Sequence, residues 1–219
     1  MTNVPCCLPV SKKQIRRFAV AFGFRNHGHP PLVAHASIIY RDTEGELCIV
    51  ELADTSGHVL TNELRDSTCD LVDAWVIPAL SEAELLHLSK ICEAYEDEWV
   101  RFGFNYEQGE LTCASFVISI FWKIRFQLID ASTWEISEAD KRLQELLWER
   151  RCQELKKSGM RPSVLGKGYL EFFNRYRPED VFGACLAGVE KVSFQQARDN
   201  AEVLTSWMQS IESSHNMSK

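Results

Sequence analysis

The stretch YEQGELTCASFVISIFWK, residues 106–123, joins a polar turn to a run that is apolar at almost every helical angle. The apolar side chains after Cys113 are those of Ala114, Phe116, Val117, Ile118, Ile120, Phe121 and Trp122. A helix that is apolar on all sides lies inside a protein rather than on its surface. The sequence therefore predicts a central helix that carries Cys113 in its first turn.

The part of the chain before this helix is rich in strand-forming residues. Four short segments dominated by Val, Ile, Phe and Ala are bounded by Gly, Pro and Asp, at 16–24, 32–40, 45–52 and 73–80. The sequence RDTEGE joins the second segment to the third, and we predict a tight hairpin turn there with Gly45 at a positive φ. A β-rich first half is expected.

Helical patterns follow the strands. Residues 81–99 open with a capping box of Ser81 and Glu84 and space their apolar side chains three and four apart. Residues 137–159 predict a second, more polar helix that starts with a cap at Ser137. Both segments are therefore predicted as helices that follow the strand-rich half.

The last third of the chain adds one more helix. Residues 193–210 begin with a Ser193–Gln196 capping box, whereas 177–192 resemble short strands interrupted by glycine. Strands and helices that are segregated along a chain indicate the α+β class. We predict an antiparallel sheet packed against the central helix, with extra helices near the C-terminus.

Size and charge limit the classes of function. A chain of 219 residues with 45% hydrophobic side chains is long enough to form one globular domain. Its net charge of −7 argues against general nucleic-acid binding, which needs clustered Lys and Arg. The basic cluster Lys12, Lys13, Arg16 and Arg17 is interpreted as a solvated face. No nucleic-acid partner is predicted.

The N-terminus and the cysteines indicate the compartment. No signal peptide and no apolar run of about 20 residues is present, so we expect a cytoplasmic protein, or one delivered by a route without a signal peptide. Eight cysteines are scattered without a C-x-x-C pair, which is typical of free thiols in a reducing compartment. Cys6 and Cys7 could carry a lipid anchor, although a flexible segment at 1–14 is the expected alternative.

Three polar residues stand in apolar surroundings and predict nucleophilic chemistry. Cys113 opens a helix, where the helix dipole favours the reactive thiolate. His35 in LVAHASIIY is the candidate base, and Glu51 in CIVEL is the candidate carboxylate that orients it. With a three-residue loop at 42–44, paired residue numbers sum to 86 and His35 stands directly opposite Glu51.

A metal site is the competing interpretation of the histidines. His27 and His29 form an H-x-H pair near His35. Zinc needs three or four ligands within tetrahedral reach, and no second cluster of Cys or His has a matching spacing. We therefore predict no metal and no cofactor.

The order of these residues resembles a known family. A histidine in AHASIIY, an acid in CIVEL and a cysteine in TCASFV resemble the circularly permuted NlpC-like branch of the papain-fold cysteine hydrolases. The resemblance implies a papain-like catalytic domain at 15–192 with a helical insertion at 137–159, followed by a C-terminal helix and tail at 193–219. It also implies a substrate-pocket role for Tyr106. RPEDVF is similar to a segment that leads into a terminal strand in this family.

The same resemblance implies a function. Cys113, His35 and Glu51 would form a triad that cleaves an amide or peptide bond through an acyl-enzyme. The related lecithin:retinol acyltransferase family shares the order of His and Cys but has a second histidine in place of Glu51, so a lipid acyl hydrolase or acyltransferase remains an alternative. A binding module without turnover is the other, with a protein partner at the acidic cluster Glu93, Glu96, Asp97 and Glu98.

Overall fold

A computed structural model describes the elements on which the candidate site depends. The described residues are 15, 17–25, 33–52, 57–63, 70–75, 80–95, 98–102, 111–135, 138–157, 159 and 176–202. Several predictions fall outside the described residues, namely those for 1–14 with Cys6 and Cys7, for His27 and His29, for Tyr106, for Ser137, for Glu96 and Asp97, and for 203–219.

Five antiparallel strands form the main sheet in the order β4-β3-β2-β1-β5. They are β1 (Phe18–Arg25), β2 (Val33–Arg41), β3 (Leu47–Leu52), β4 (Val59–Glu63) and β5 (Asp70–Trp75). The first three coincide with predicted segments, and β5 begins before the predicted 73–80. Strand β4 was not predicted, because VLTNE is half polar and too short to show a clear alternation.

Helices complete the architecture, which confirms the predicted α+β class. They are α1 (Glu82–Glu93), α2 (Cys113–Lys123), α3 (Glu138–Lys157), α4 (Pro178–Ala187) and α5 (194–202). A small parallel sheet pairs β6 (Ile129–Asp130) with β7 (Val192–Ser193). In the described part of the chain, no helix combines the length and the apolar character that crossing a membrane requires.

The end of one predicted helix and the type of one predicted element are wrong. Helix α1 ends at Glu93 rather than continuing to Trp99, because Trp99 forms a β-bridge with His58. The segment 177–192 contains helix α4 instead of broken strands. Its Gly183 lies within a helix that packs closely on the next one, since a Cβ there would be 2.1 Å from the Ala197 carbonyl oxygen. That glycine permits close helix packing and does not interrupt a strand.

The core lies mainly on one face of the sheet. There the rings of Phe18 and Phe121 meet edge to face at 5.6 Å between centroids, and Ile38 and Tyr40 belong to the same buried cluster. The opposite face buries a smaller cluster of Ile15, Ala19, Ala21, Ile39 and Ile49. Because side chains alternate along a strand, the odd-numbered residues of β2 face away from α2.

Candidate active site

His35 and Glu51 are in contact inside the sheet. The distance from His35 Nε2 to Glu51 Oε2 is 3.2 Å, and the two side chains are 3% and 0% exposed. An imidazole and a carboxylate are rarely buried among apolar strands unless each satisfies the other. The predicted association of these two residues is therefore present, in a setting where water does not compete for it.

The strand register that produces this contact differs from the predicted one. Ile38 pairs with Val50, so paired residue numbers sum to 88 and the loop between β2 and β3 covers 42–46. Asp42 stabilises this longer loop, because its side chain accepts hydrogen bonds from the Glu44 and Glu46 amides and its own N–H donates to the Glu46 carbonyl.

A register shift of two residues preserves the face of each side chain. The register, continued one residue beyond the Ile38–Val50 pair, places Glu51 opposite Ser37, and His35 contacts the carboxylate diagonally. The predicted direct pairing of His35 with Glu51 is therefore wrong, while the predicted common face is correct. A loop longer by one residue would have separated the two side chains.

The contact defines what the imidazole can do. In the tautomer that carries its proton on Nε2, His35 donates to Glu51, and Nδ1 is the nitrogen that can accept a proton. The carboxylate also stabilises the imidazolium that forms when Nδ1 accepts a proton. The pair thus has the composition of a general base and its orienting acid.

Cys113 is the first residue of α2 and is partly buried. A capping box precedes it: the Thr112 N–H donates to Ser115 Oγ at 2.7 Å, and the Ser115 N–H donates to Thr112 Oγ1 at 3.3 Å. These bonds fix the turn that carries the thiol, while the positive end of the helix dipole favours a negative sulfur. The local sequence T-C-A-S therefore explains why the helix begins at this cysteine.

Two backbone hydrogen bonds link the residues before α2 to the residue that precedes β4. Gly57, which precedes β4, accepts from the Val100 N–H at 2.8 Å, and Arg101 accepts from the Leu111 N–H at 2.8 Å. Gly57 has φ +91°, and a Cβ there would lie 2.0 Å from the Val100 carbonyl oxygen. This close approach brings the residues before Cys113 to the end of the sheet at which β3 finishes.

The same arrangement restricts how the thiol can reach the imidazole. Helix α2 packs mainly against β2, on the face of Ile38 and Tyr40. Because side chains alternate along a strand, His35 lies on the opposite face of the sheet from Ile38 and Tyr40, near the start of β2. A contact between Cys113 and His35 therefore requires the first turn of α2 to meet the imidazole around the end of β2.

Three other cysteines lie in settings that suppress thiolate formation. Burial raises the pKa of the Cys92 and Cys185 thiols far above their ordinary value. The pKa of Cys48 is raised to about 11 by burial and by the neighbouring Asp42 carboxylate. These thiols are poor nucleophiles at neutral pH.

Neither similarity to known proteins nor a metal-binding cluster identifies the chemistry of this site. Comparison with models of protein families, with curated proteins and with solved structures finds no match to the chain. Among the residues that the structure describes, no three side chains of His, Cys, Asp or Glu cluster closely enough to hold a metal ion. The interpretation of the site therefore depends on its own geometry.

Ser37 and the capping box were not predicted as parts of the site. The pattern T-x-x-S at 112–115 was the available signal for the box, since a hydroxyl residue three positions after a threonine can complete a reciprocal cap. Ser37 gave no signal, because a serine within a strand is common and its position opposite Glu51 depends on the register.

Proposed function

We propose that this protein is a thiol-dependent hydrolase with a papain-like fold in the permuted order, and that it cleaves an amide or peptide bond. The observation that carries the proposal is the buried contact of 3.2 Å between His35 and Glu51, which joins the start of β2 to the end of β3. A buried base with its orienting acid has little structural use in an apolar sheet, whereas a thiol nucleophile requires one.

In the proposed reaction, Cys113 transfers its proton to His35, and Sγ forms a bond to the carbonyl carbon of the substrate. The C–N bond of the substrate then breaks, and the imidazolium gives its proton to the leaving amine. Water, deprotonated by His35, attacks the thioester and releases the carboxylic acid and the thiol. Glu51 keeps the imidazole oriented and stabilises its positive charge.

Glu51 is the reason for preferring an amide substrate over a lipid ester. The acyltransferase relatives carry a second histidine at the corresponding position, whereas the acid is typical of the peptidase side of the resemblance. A lipid ester would pass through the same thioester, so substrate screening covers both classes.

The acidic cluster gives less support to the alternative of a binding module. The Glu93 carboxylate accepts hydrogen bonds from the backbone N–H and the hydroxyl of Thr43, at 3.3 Å and 3.1 Å. Glu93 therefore links α1 to the loop after β2, and its carboxylate already has a role inside the fold.

The test is the rate of iodoacetamide labelling at each cysteine as a function of pH, read by peptide mass spectrometry. If Cys113 pairs with His35, Cys113 labels faster below pH 7 than Cys48 or Cys152, and His35→Ala removes this advantage. His87→Ala, which removes a histidine from α1, is the matched control and leaves the profile unchanged.

Loss of hydrolysis in Cys113→Ala, with an unchanged circular dichroism spectrum, completes the assignment once an amide or ester substrate is found. Equal labelling of Cys113 in the wild type and in His35→Ala would overturn the thiol–imidazole pairing. The protein would then be studied as a binding module.

A further inference from the structure

Ser37 is a buried hydroxyl next to the candidate triad. Its side chain is 0% exposed, and its Oγ has no hydrogen-bond partner among the described residues. Continued one residue beyond the Ile38–Val50 pair, the β2–β3 register places Ser37 opposite Glu51. Ser37 follows His35 by two residues and so shares its face of the strand. Ala21, its partner on β1, has no polar side chain that could satisfy the hydroxyl.

An unsatisfied buried hydroxyl is unfavourable, and an alanine of nearly the same size would avoid it. Such local conflicts are concentrated where a protein needs a group for its chemistry. Directly opposed residues of an antiparallel pair have adjacent Cβ atoms, and a rotation about χ1 of a serine directs its hydroxyl toward any of three staggered positions. A rotation of χ1 can therefore direct the Ser37 hydroxyl toward the Glu51 side chain.

We propose that Ser37 is a positioning residue, whose hydroxyl donates a hydrogen bond to the Glu51 carboxylate when His35 becomes protonated. The inference rests on the proposed function. A carboxylate buried in an apolar sheet keeps its negative charge only with enough donors around it, and the hydroxyl supplies one at the moment when the imidazolium forms. Without that donor, the imidazolium loses part of its support and the paired thiolate becomes less stable.

The strand positions on this face also include two arginines. Arg25 on β1 lies opposite Val33, and Arg41 lies at the far end of β2. Arg41 donates to the carbonyl groups of Gly45 and Ile15. Both arginines are present in the wild type and in Ser37→Ala, so a difference between these two proteins reports on the hydroxyl.

The experiment compares Ser37→Ala with Thr61→Val. The Thr61 hydroxyl is also buried without a partner among the described residues, and Thr61 pairs with Val50 on the other face of the sheet. Both variants remove an unsatisfied hydroxyl, so both are expected to keep or raise the melting temperature. Labelling of Cys113 by iodoacetamide is measured from pH 5 to 9, with His35→Ala alongside.

The expected result is that Ser37→Ala slows labelling of Cys113 below pH 7 by about 2- to 10-fold and moves the profile toward higher pH, whereas Thr61→Val does not. If His35→Ala changes the profile and Ser37→Ala does not, the role of Ser37 is wrong and the proposed function stands. If His35→Ala also leaves the profile unchanged, both proposals are overturned. Ser37→Thr, which keeps a hydroxyl, is expected to restore part of the labelling rate.

Discussion

At the scale of single residues, His35 and Glu51 place two polar groups where each depends on the other. Removing one partner of a buried pair typically costs about 3–5 kcal/mol, whereas replacing both with apolar residues is often neutral or stabilising. We expect His35→Leu and Glu51→Leu each to lower the free energy of unfolding by about 3 kcal/mol, and the double variant to recover most of this loss. Urea titration of the four proteins measures the recovery. A double variant as unstable as the sum of the two changes would mean that the two residues are not energetically coupled, contrary to the expected mutual dependence.

Residue types in unusual surroundings were the part of the site that the sequence could predict. A histidine and a glutamate within apolar strands, and a cysteine at the start of an apolar helix, contradict ordinary burial preferences and so can be recognised without coordinates. Ser37 contradicts no preference by itself. Its position becomes notable only through its partner in the neighbouring strand, which is information on the scale of elements.

At the scale of elements, the capping box of α2 is expected to control the reactivity of the thiol. Thr112→Ala removes the N-cap oxygen that accepts from the Ser115 N–H and should cost about 0.5–2 kcal/mol of stability. If the box fixes the turn of Cys113, the same variant also slows labelling of Cys113 at neutral pH several-fold. Stability is measured by thermal unfolding and labelling by mass spectrometry.

Helix α1 offers a matched control for this effect. Its box is formed by Ser81 and Glu84, with the Glu84 N–H donating to Ser81 Oγ at 3.3 Å, and it carries no candidate nucleophile. Ser81→Ala is expected to lower stability by a similar amount and to leave Cys113 labelling unchanged. Slower labelling in both variants would show that the effect follows global stability and not the geometry of the α2 turn.

Element boundaries and register mark the limit of prediction from this sequence. The hairpin between β2 and β3 was expected from Gly45, which does have φ +90°. The loop length was not predictable, since it depends on the hydrogen bonds that Asp42 makes within the turn. Similarly, the apolar and glycine-containing segment of α4 fits a short strand or a buried helix equally well until Gly183 is packed against Ala197.

At the scale of the whole molecule, the buried thiols make the free energy of unfolding depend on pH. The folded protein holds Cys92 and Cys185 with pKa values raised by burial, and Cys48 with a pKa raised to about 11. Unfolding exposes these thiols to water, where the ordinary pKa of a cysteine thiol is 9.0. Above about pH 9 the unfolded chain therefore binds fewer protons than the folded chain, and the free energy of unfolding decreases as the pH rises.

Each wholly buried thiol contributes a slope of up to about 1.4 kcal/mol per pH unit between its unfolded and its folded pKa. We expect urea titrations under reducing conditions to show constant stability from pH 7 to 8 and a decrease from pH 9 to 10.5. The variant Cys92→Ala/Cys185→Ala is expected to be less stable at pH 7, because it leaves cavities, but to lose stability less steeply in alkali. A slope equal to that of the wild type would contradict the assignment, since the alkaline loss would then come from other groups, such as the buried Tyr40 hydroxyl.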